Sequence, residues 1–259
     1  MKYSQIREGK FEYLDTGGDG GENIMLLHGL FGGLSNFDAI IDKFGDEHRV
    51  IFPTLPMFEL PLRKVSVTGL VNHLLDFAQA YDLYDLHLLG NSLGGHVAIL
   101  FAMAAPERIA SVTLTASSGL FENSMGNTYP KRGDREFVRR KCEGTFHDPA
   151  MATEELIDGV FQTINNRDRA LRVVMTAKSA VRHNLSEKLH LIKVPTLLIW
   201  GESDDITPPF VGEKFHELIA DSELHILPEC GHAPMMELPD TFNKIFGDFL
   251  DRVSVGTKV

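Results

Sequence analysis

Leu86-His87-Leu88-Leu89-Gly90-Asn91-Ser92-Leu93-Gly94-Gly95-His96 is a short apolar run that leads into a serine. Glycine flanks that serine two residues away on either side, and a helical pattern follows. Glycines at this spacing let a strand reverse sharply into a helix, leaving the central side chain at the tip of a strained turn. A serine held there exposes its hydroxyl above the amino end of a helix, whose free N–H groups stabilise a developing oxyanion. G-x-S-x-G alone is a weak pattern, because glycine and serine are common. The strand before it and the helix after it give it meaning.

The chain has 259 residues, enough for one large α/β domain or two ordinary ones with a substantial core. With 43% hydrophobic and 24% charged residues, the composition is that of a globular protein. A formal net charge of −11 argues against nucleic acid or an anionic membrane surface as a partner. Cys142 and Cys230 are far apart, so neither a disulfide framework nor a metal knuckle is indicated, and a reducing compartment fits. Residues 1–15 mix charges with alternating apolar residues, and no apolar run reaches membrane-spanning length. A cytoplasmic protein, monomeric or homodimeric, with no membrane partner is therefore expected.

Outward from the serine, strands and helices alternate. Residues 10–15 have a period of two, Ile24–Leu27 and Val50–Phe52 are buried-strand runs, and Ser35–Phe44 has helical spacing between them. Pro53, Pro56 and Pro61 force an extended loop. An amphipathic helix is expected over Thr68–Tyr81, a buried one over Leu93–Ala104, and a strand over Ala110–Ala116. From Ser117 to Ile192 buried strands vanish, and helical patterns such as Glu154–Ile164 and Ala170–Val181 take over. No low-complexity linker sets this region apart, so it reads as an inserted helical cap (117–192) on a core formed by 1–116 and 193–259. Thr196–Trp200 and Leu224–Leu227 are the last strands, Thr207 is a cap candidate for a helix begun by Pro208-Pro209, and Asp240–Arg252 is a final amphipathic helix. The expected fold is α/β, with a doubly wound, mostly parallel sheet.

Ser92, Asp204 and His232 each stand just past a buried strand, where doubly wound sheets bind ligands. A serine hydroxyl needs a base to become a nucleophile, and imidazole titrates near neutrality. A carboxylate then fixes the imidazole tautomer and stabilises its charged form. Asp204 also reads as a helix cap beside Asp205, and Ser92 alone as a turn residue.

Taken together these motifs resemble those of α/β-hydrolase fold proteins with a helical cap, over residues 10–252, and the resemblance implies an eight-stranded sheet with the cap inserted after the sixth strand. His28-Gly29-Leu30-Phe31 is similar to the family's HG loop, Gly90–Gly94 to its nucleophile elbow, Gly201–Pro208 to its acid turn and Gly231-His232 to its histidine loop. The order nucleophile, acid, histidine is the family's too. The resemblance selects Asp204 as the acid. It implies that the backbone N–H of Leu30 (with Phe31 the alternative) and that of Leu93 form an oxyanion hole, each donor contributing about 3 kcal/mol.

Departures from the family bear on the substrate. Pro53–Phe58 replaces a family segment, and Met57 and Phe58 are candidates to line an apolar pocket. Gly90-Asn91-Ser92 and Ser35-Asn36-Phe37 are similar to the carbon–carbon bond hydrolases that cleave meta-ring-fission products, which makes Asn91 a substrate-binding candidate. Those enzymes usually carry tryptophan directly after the histidine, where this chain has Ala233. The HG loop, with Phe31, is closer to that of small-ester and thioester hydrolases. The expectation is a serine hydrolase of carboxylesterase type for a small, largely apolar ester or thioester, needing no cofactor and no metal. A C–C hydrolase is the alternative, and a non-catalytic ligand sensor on the same fold a second. Lys131, Arg132, Arg135, Arg139, Arg140 and Lys141 in the cap read either as a solvated helix face or as recognition of a substrate carboxylate.

Overall fold

The strands β1 (Gln5–Glu8), β2 (Phe11–Asp15), β3 (Asn23–Leu27), β4 (Arg49–Pro53), β5 (Leu86–Asn91), β6 (Ile109–Thr115), β7 (Thr196–Gly201) and β8 (Ser222–Leu227) form one sheet. They belong to a computed structural model that describes residues 3–18, 21–122 and 132–256. The strand order is β1-β2-β4-β3-β5-β6-β7-β8. β2 pairs antiparallel with β1 and with β4, and every pairing from β4 through β8 is parallel. Parallel strands flanked by helices are buried on both faces, and β5 and β7 are accordingly buried at every position. β1, a charged edge strand with the sequence QIRE, has no such apolar run, and the sequence did not single it out.

Helices α1 (Asp38–Phe44), α2 (Val67–Ala80), α3 (Leu93–Ala104), α7 (Pro209–Leu218), α8 (Pro234–Glu237) and α9 (Pro239–Gly256) connect or follow the strands. One core layer, with Leu70, Leu74, Phe77, Val97, Phe101, Trp200 and Phe215, lies on one side of the sheet. The other, with Phe37, Ile40, Phe52, Phe242 and Phe246, lies opposite. α3 is buried almost all round because its sequence, LGGHVAILFAMA, has no charged side chain to turn outward. Between β6 and β7 stand α4 (Arg135–Glu143), α5 (Glu154–Asn165) and α6 (Arg167–Arg182), each capped at its amino end by the side chain of Asp134, Thr153 or Asn166.

Several expected boundaries shift. The helix expected from Ser35 opens as a 3-10 turn, Leu34–Phe37, before α1. α2 begins at Val67 because the Ser66 hydroxyl accepts from the Gly69 N–H at 3.0 Å. Thr207 does not cap α7: the helix starts at Pro209, and the Thr207 hydroxyl donates instead to Asp204. The Asp204 carboxylate takes that hydroxyl because it is the nearest strong acceptor, and the prolines set the helix start without side-chain help.

Candidate active site

Ser92 sits between β5 and α3 with φ 55° and ψ −118°, a left-handed backbone that L-residues rarely adopt. Its N–H donates to the Thr115 carbonyl at 3.1 Å, and its carbonyl accepts from Gly95, His96 and Ser118. The turn closes only because the glycines lack a side chain. A Cβ on Gly90 would stand 2.5 Å from the Gly94 carbonyl oxygen, and one on Gly94 only 1.9 Å from that of Leu27. Leu93 opens α3, at a position where a backbone N–H has no intrahelical partner. The HG loop lies against the elbow, since a Cβ on Gly29 would be 3.3 Å from the Ser92 Cβ. Leu30 belongs to the tight turn that the Gly32 N–H closes onto the Gly29 carbonyl at 3.2 Å.

Asp204 is almost fully buried after β7, and each of its four acceptor positions is used. Oδ1 accepts from the N–H groups of Ile206 (2.8 Å) and Thr207 (2.9 Å). Oδ2 accepts from the Thr207 hydroxyl (2.8 Å) and faces His232 Nδ1 at 2.9 Å. Oδ2 can only accept in that bond, so the proton is on His232 Nδ1, which donates it, and Nε2 is left as the nitrogen free for proton transfer. Gly201 permits this arrangement, because a Cβ there would be 2.1 Å from the Gly231 carbonyl oxygen.

A cleft of about 640 Å³ is lined by both Ser92 and His232. Leu30, Phe31, Asn36, Asn91 and Ala233 also line it, as do Asp205 and Ile206, while Asp204 stands behind the imidazole. The inserted helices contribute a mostly apolar part of its lining: Phe137, Val138 and Phe146 from in and beyond α4, and Leu156, Val160 and Ile164 from α5. A model described as the alpha/beta hydrolase family matches residues 24–245.

The chain belongs to the alpha/beta hydrolase family. It is similar to the 2-hydroxy-6-oxo-6-phenylhexa-2,4-dienoate hydrolase of Burkholderia cepacia, 31% identical over 252 residues, covering 89% of this chain and 88% of that one. It is also 30% identical over 249 residues to the dihydrolipoyllysine-residue acetyltransferase component of the acetoin cleaving system of Pseudomonas putida. That match covers 92% of this chain and 66% of the relative's length, just under two thirds. The structure is similar to that of an alpha/beta hydrolase enzyme from the sediment metagenome of the Mar Chica lagoon, Morocco, with a TM-score of 0.79 and 36% identity. The likeness covers 96% of this chain and 98% of that one.

In this alpha/beta hydrolase the Asn91 side chain is buried, and its amide donates to the carbonyls of Thr115 and His232, each at 3.2 Å. Met57 and Phe58 do not line the cleft. They line a neighbouring hollow of about 400 Å³, which shares Leu30, Phe31, Gly32 and Val160 with it. Phe31, 40% exposed, is thus common to both spaces. His28 holds the proline-rich loop beside them: its Nε2 accepts from the Leu55 N–H at 3.1 Å and its Nδ1 faces the Gly29 carbonyl at 2.9 Å.

The basic helix divides its charges. Arg135 pairs with Glu154 and Asp158, and Arg139 with Glu154, tying α4 to α5, whereas Arg140 and Lys141 line the cleft. Lys131 lies outside the described residues. Burial pushes the thiols of Cys142 and Cys230 up to about 11 and about 12, so neither is a thiolate at neutral pH. Among the described residues no group of three or more His, Cys, Asp or Glu side chains is placed to hold a metal ion, and no helix is long and apolar enough to cross a membrane.

Sequence reasoning missed two features of the site. Glu122 is pushed by burial up to about 7, with His232 close enough to pull it back down. It lies seven residues past the end of β6, and nothing in its neighbours' pattern marks it. The apolar wall from α4 was hidden by the helix's charges, although Phe137 and Val138 stand side by side within them.

Proposed function

We propose that the protein is a serine hydrolase that cleaves a small, largely apolar carboxylic ester or thioester through an acyl-enzyme. The observation that carries this is Ser92, held at a left-handed elbow, sharing one apolar cleft with a His232 whose Nδ1 is committed to buried Asp204. Ser92 Oγ attacks the substrate carbonyl while His232 Nε2 takes its proton, and the imidazolium then protonates the leaving group. The backbone N–H groups of Leu30 and Leu93 receive the oxyanion. Water, deprotonated by His232, hydrolyses the acyl-enzyme, and Asp204 holds the imidazole tautomer through both halves. Phe31, Ala233 and the α4–α5 wall receive the acyl and leaving groups, with Met57 and Phe58 bounding the adjoining hollow.

The test is turnover of a panel of aryl esters of graded acyl length. Wild type is expected to turn over the short apolar members with a burst of one product per site, and Ser92→Ala to lose the reaction. Full turnover by Ser92→Ala overturns the reading.

A second reading, a C–C hydrolase acting on a dienoate that carries a carboxylate, is favoured by the Burkholderia cepacia relative and by the cations Arg140 and Lys141 in the cleft wall. Turnover of a vinylogous diketone faster than of any ester supports it. Brisk esterase activity with none on the diketone removes it.

A further inference from the structure

The histidine loop is held by a carboxylate outside the Ser92–His232–Asp204 group. Glu237, at the end of α8, accepts through Oε1 from the N–H groups of Gly231 (3.0 Å) and Ala233 (3.3 Å), the residues on either side of His232. Its Oε2 accepts from the N–H of His147, in the segment inserted between β6 and β7, at 2.7 Å. The N–H of His232 completes the junction by donating to the Thr145 carbonyl at 2.8 Å. The approach is close enough to exclude a side chain at Gly231, where a Cβ would be 2.7 Å from the Thr145 oxygen and 2.8 Å from the His147 nitrogen.

We propose that Glu237 is a positioning residue that joins the inserted helices to the histidine loop and thereby sets where the His232 ring stands. The proposal rests on the reading of His232 as the base and deepens it. A loop tip carries an imidazole accurately only if its peptide units are held. Here both flanking peptides are fixed by one carboxylate, and that carboxylate is fixed to the segment that walls the cleft. Charge-assisted bonds to backbone N–H groups are short, directional and strong, so Glu237 restrains the loop more than a neutral acceptor does. Placement within a fraction of an ångström is what proton transfer requires, and a displacement of about 1 Å costs about 100-fold in rate.

Glu237→Ala removes all three bonds. Glu237→Gln keeps the shape but offers a single acceptor oxygen, which serves either the Gly231 and Ala233 pair or His147. With an activated aryl ester as substrate, Glu237→Ala is expected to lose about 100-fold in kcat, with KM changed little. If Glu237→Gln keeps the Gly231 and Ala233 bonds it is expected to keep most of kcat with faster amide exchange at His147, and if it keeps the His147 bond instead, to lose kcat with faster exchange at Gly231 and Ala233. A merely structural Glu237 lowers the thermal midpoint and leaves kcat at the wild-type value, and that result overturns the proposal. If Glu237→Ala does not fold, wild-type exchange at all three amides in Glu237→Gln overturns it. Ser92→Ala and His232→Ala run alongside: if either retains turnover, the hydrolase reading fails, whereas if both are inactive and Glu237→Ala behaves as wild type, only the positioning role fails.

Discussion

The side-chain amide of Asn91 donates to the carbonyl oxygen of His232 at 3.2 Å, so the residue before the nucleophile is bonded to the histidine loop. A second bond, to Thr115 at the end of β6, uses the same nitrogen. Asn91→Ala takes this donor from the His232 carbonyl, a loss that costs about 1–3 kcal/mol, whereas the Thr115 carbonyl keeps the Ser92 N–H. The expected outcome is lower stability in chemical denaturation together with a drop in kcat on every substrate the wild type accepts. A drop confined to one substrate class would instead assign Asn91 to substrate contact.

Two glycines with opposite surroundings give a paired test. A Cβ on Gly94 would stand 1.9 Å from the Leu27 carbonyl oxygen, whereas one on Gly159, within α5, meets nothing within 4 Å. Gly94→Ala is expected to abolish activity and lower the thermal midpoint by forcing β3 and α3 apart. Gly159→Ala is expected to raise stability by about 0.5–1 kcal/mol, the gain from replacing glycine in a helix interior. Denaturation curves for the two variants check both signs.

Acid weakens this protein through its buried histidines. Burial holds His96 down at about 3 and also lowers His28 and His87. Below their ordinary value of about 6.5 the unfolded chain binds protons at these sites and the native chain does not. Stability therefore falls as pH drops from about 6.5 towards the native values. Glu122, raised to about 7, acts at the other end: its contribution is full below the ordinary glutamate value and is lost as pH rises through about 7. Thermal midpoints between pH 4 and 9 should follow this shape. His96→Gln should flatten the acid side, and Glu122→Gln the neutral side.

Arg140 and Lys141 reach the cleft while Arg135 and Arg139 are held by carboxylates of α5. Arg140 and Lys141 are exposed, so their pull on a charged substrate is modest and screened by salt. Arg140→Glu with Lys141→Glu is expected to lower kcat/KM severalfold for a carboxylate-bearing substrate and to leave a neutral ester within about twofold. The difference should shrink in 0.5 M salt, a concentration at which the screening length is roughly half its value at physiological salt. Equal effects on both substrates would remove any role for charge.

The central parallel strands were legible because they are continuous apolar runs, and a run such as Ile24–Leu27 or Thr196–Trp200 has little choice but a doubly covered position. The Leu93–Ala104 helix was read to the residue, because Ser92 starts it and Pro106 stops it. Boundaries failed where side chains had two partners to choose between. Thr207 looked like a cap and serves Asp204, and β1 lacks the apolar pattern that reveals central strands.

By itself the sequence determined the fold class and put Ser92, Asp204 and His232 each at the end of a strand, because strand order and turn chemistry are local properties of the chain. Only the tertiary structure decided that Asp204 uses all four acceptor positions, that Met57 and Phe58 face a hollow beside the cleft, that Glu122 lies near His232, and that Glu237 bridges the histidine loop to His147. Those relations join residues up to 110 positions apart (Glu122 to His232). No periodicity encodes them, because they arise when separate turns converge on one end of a sheet.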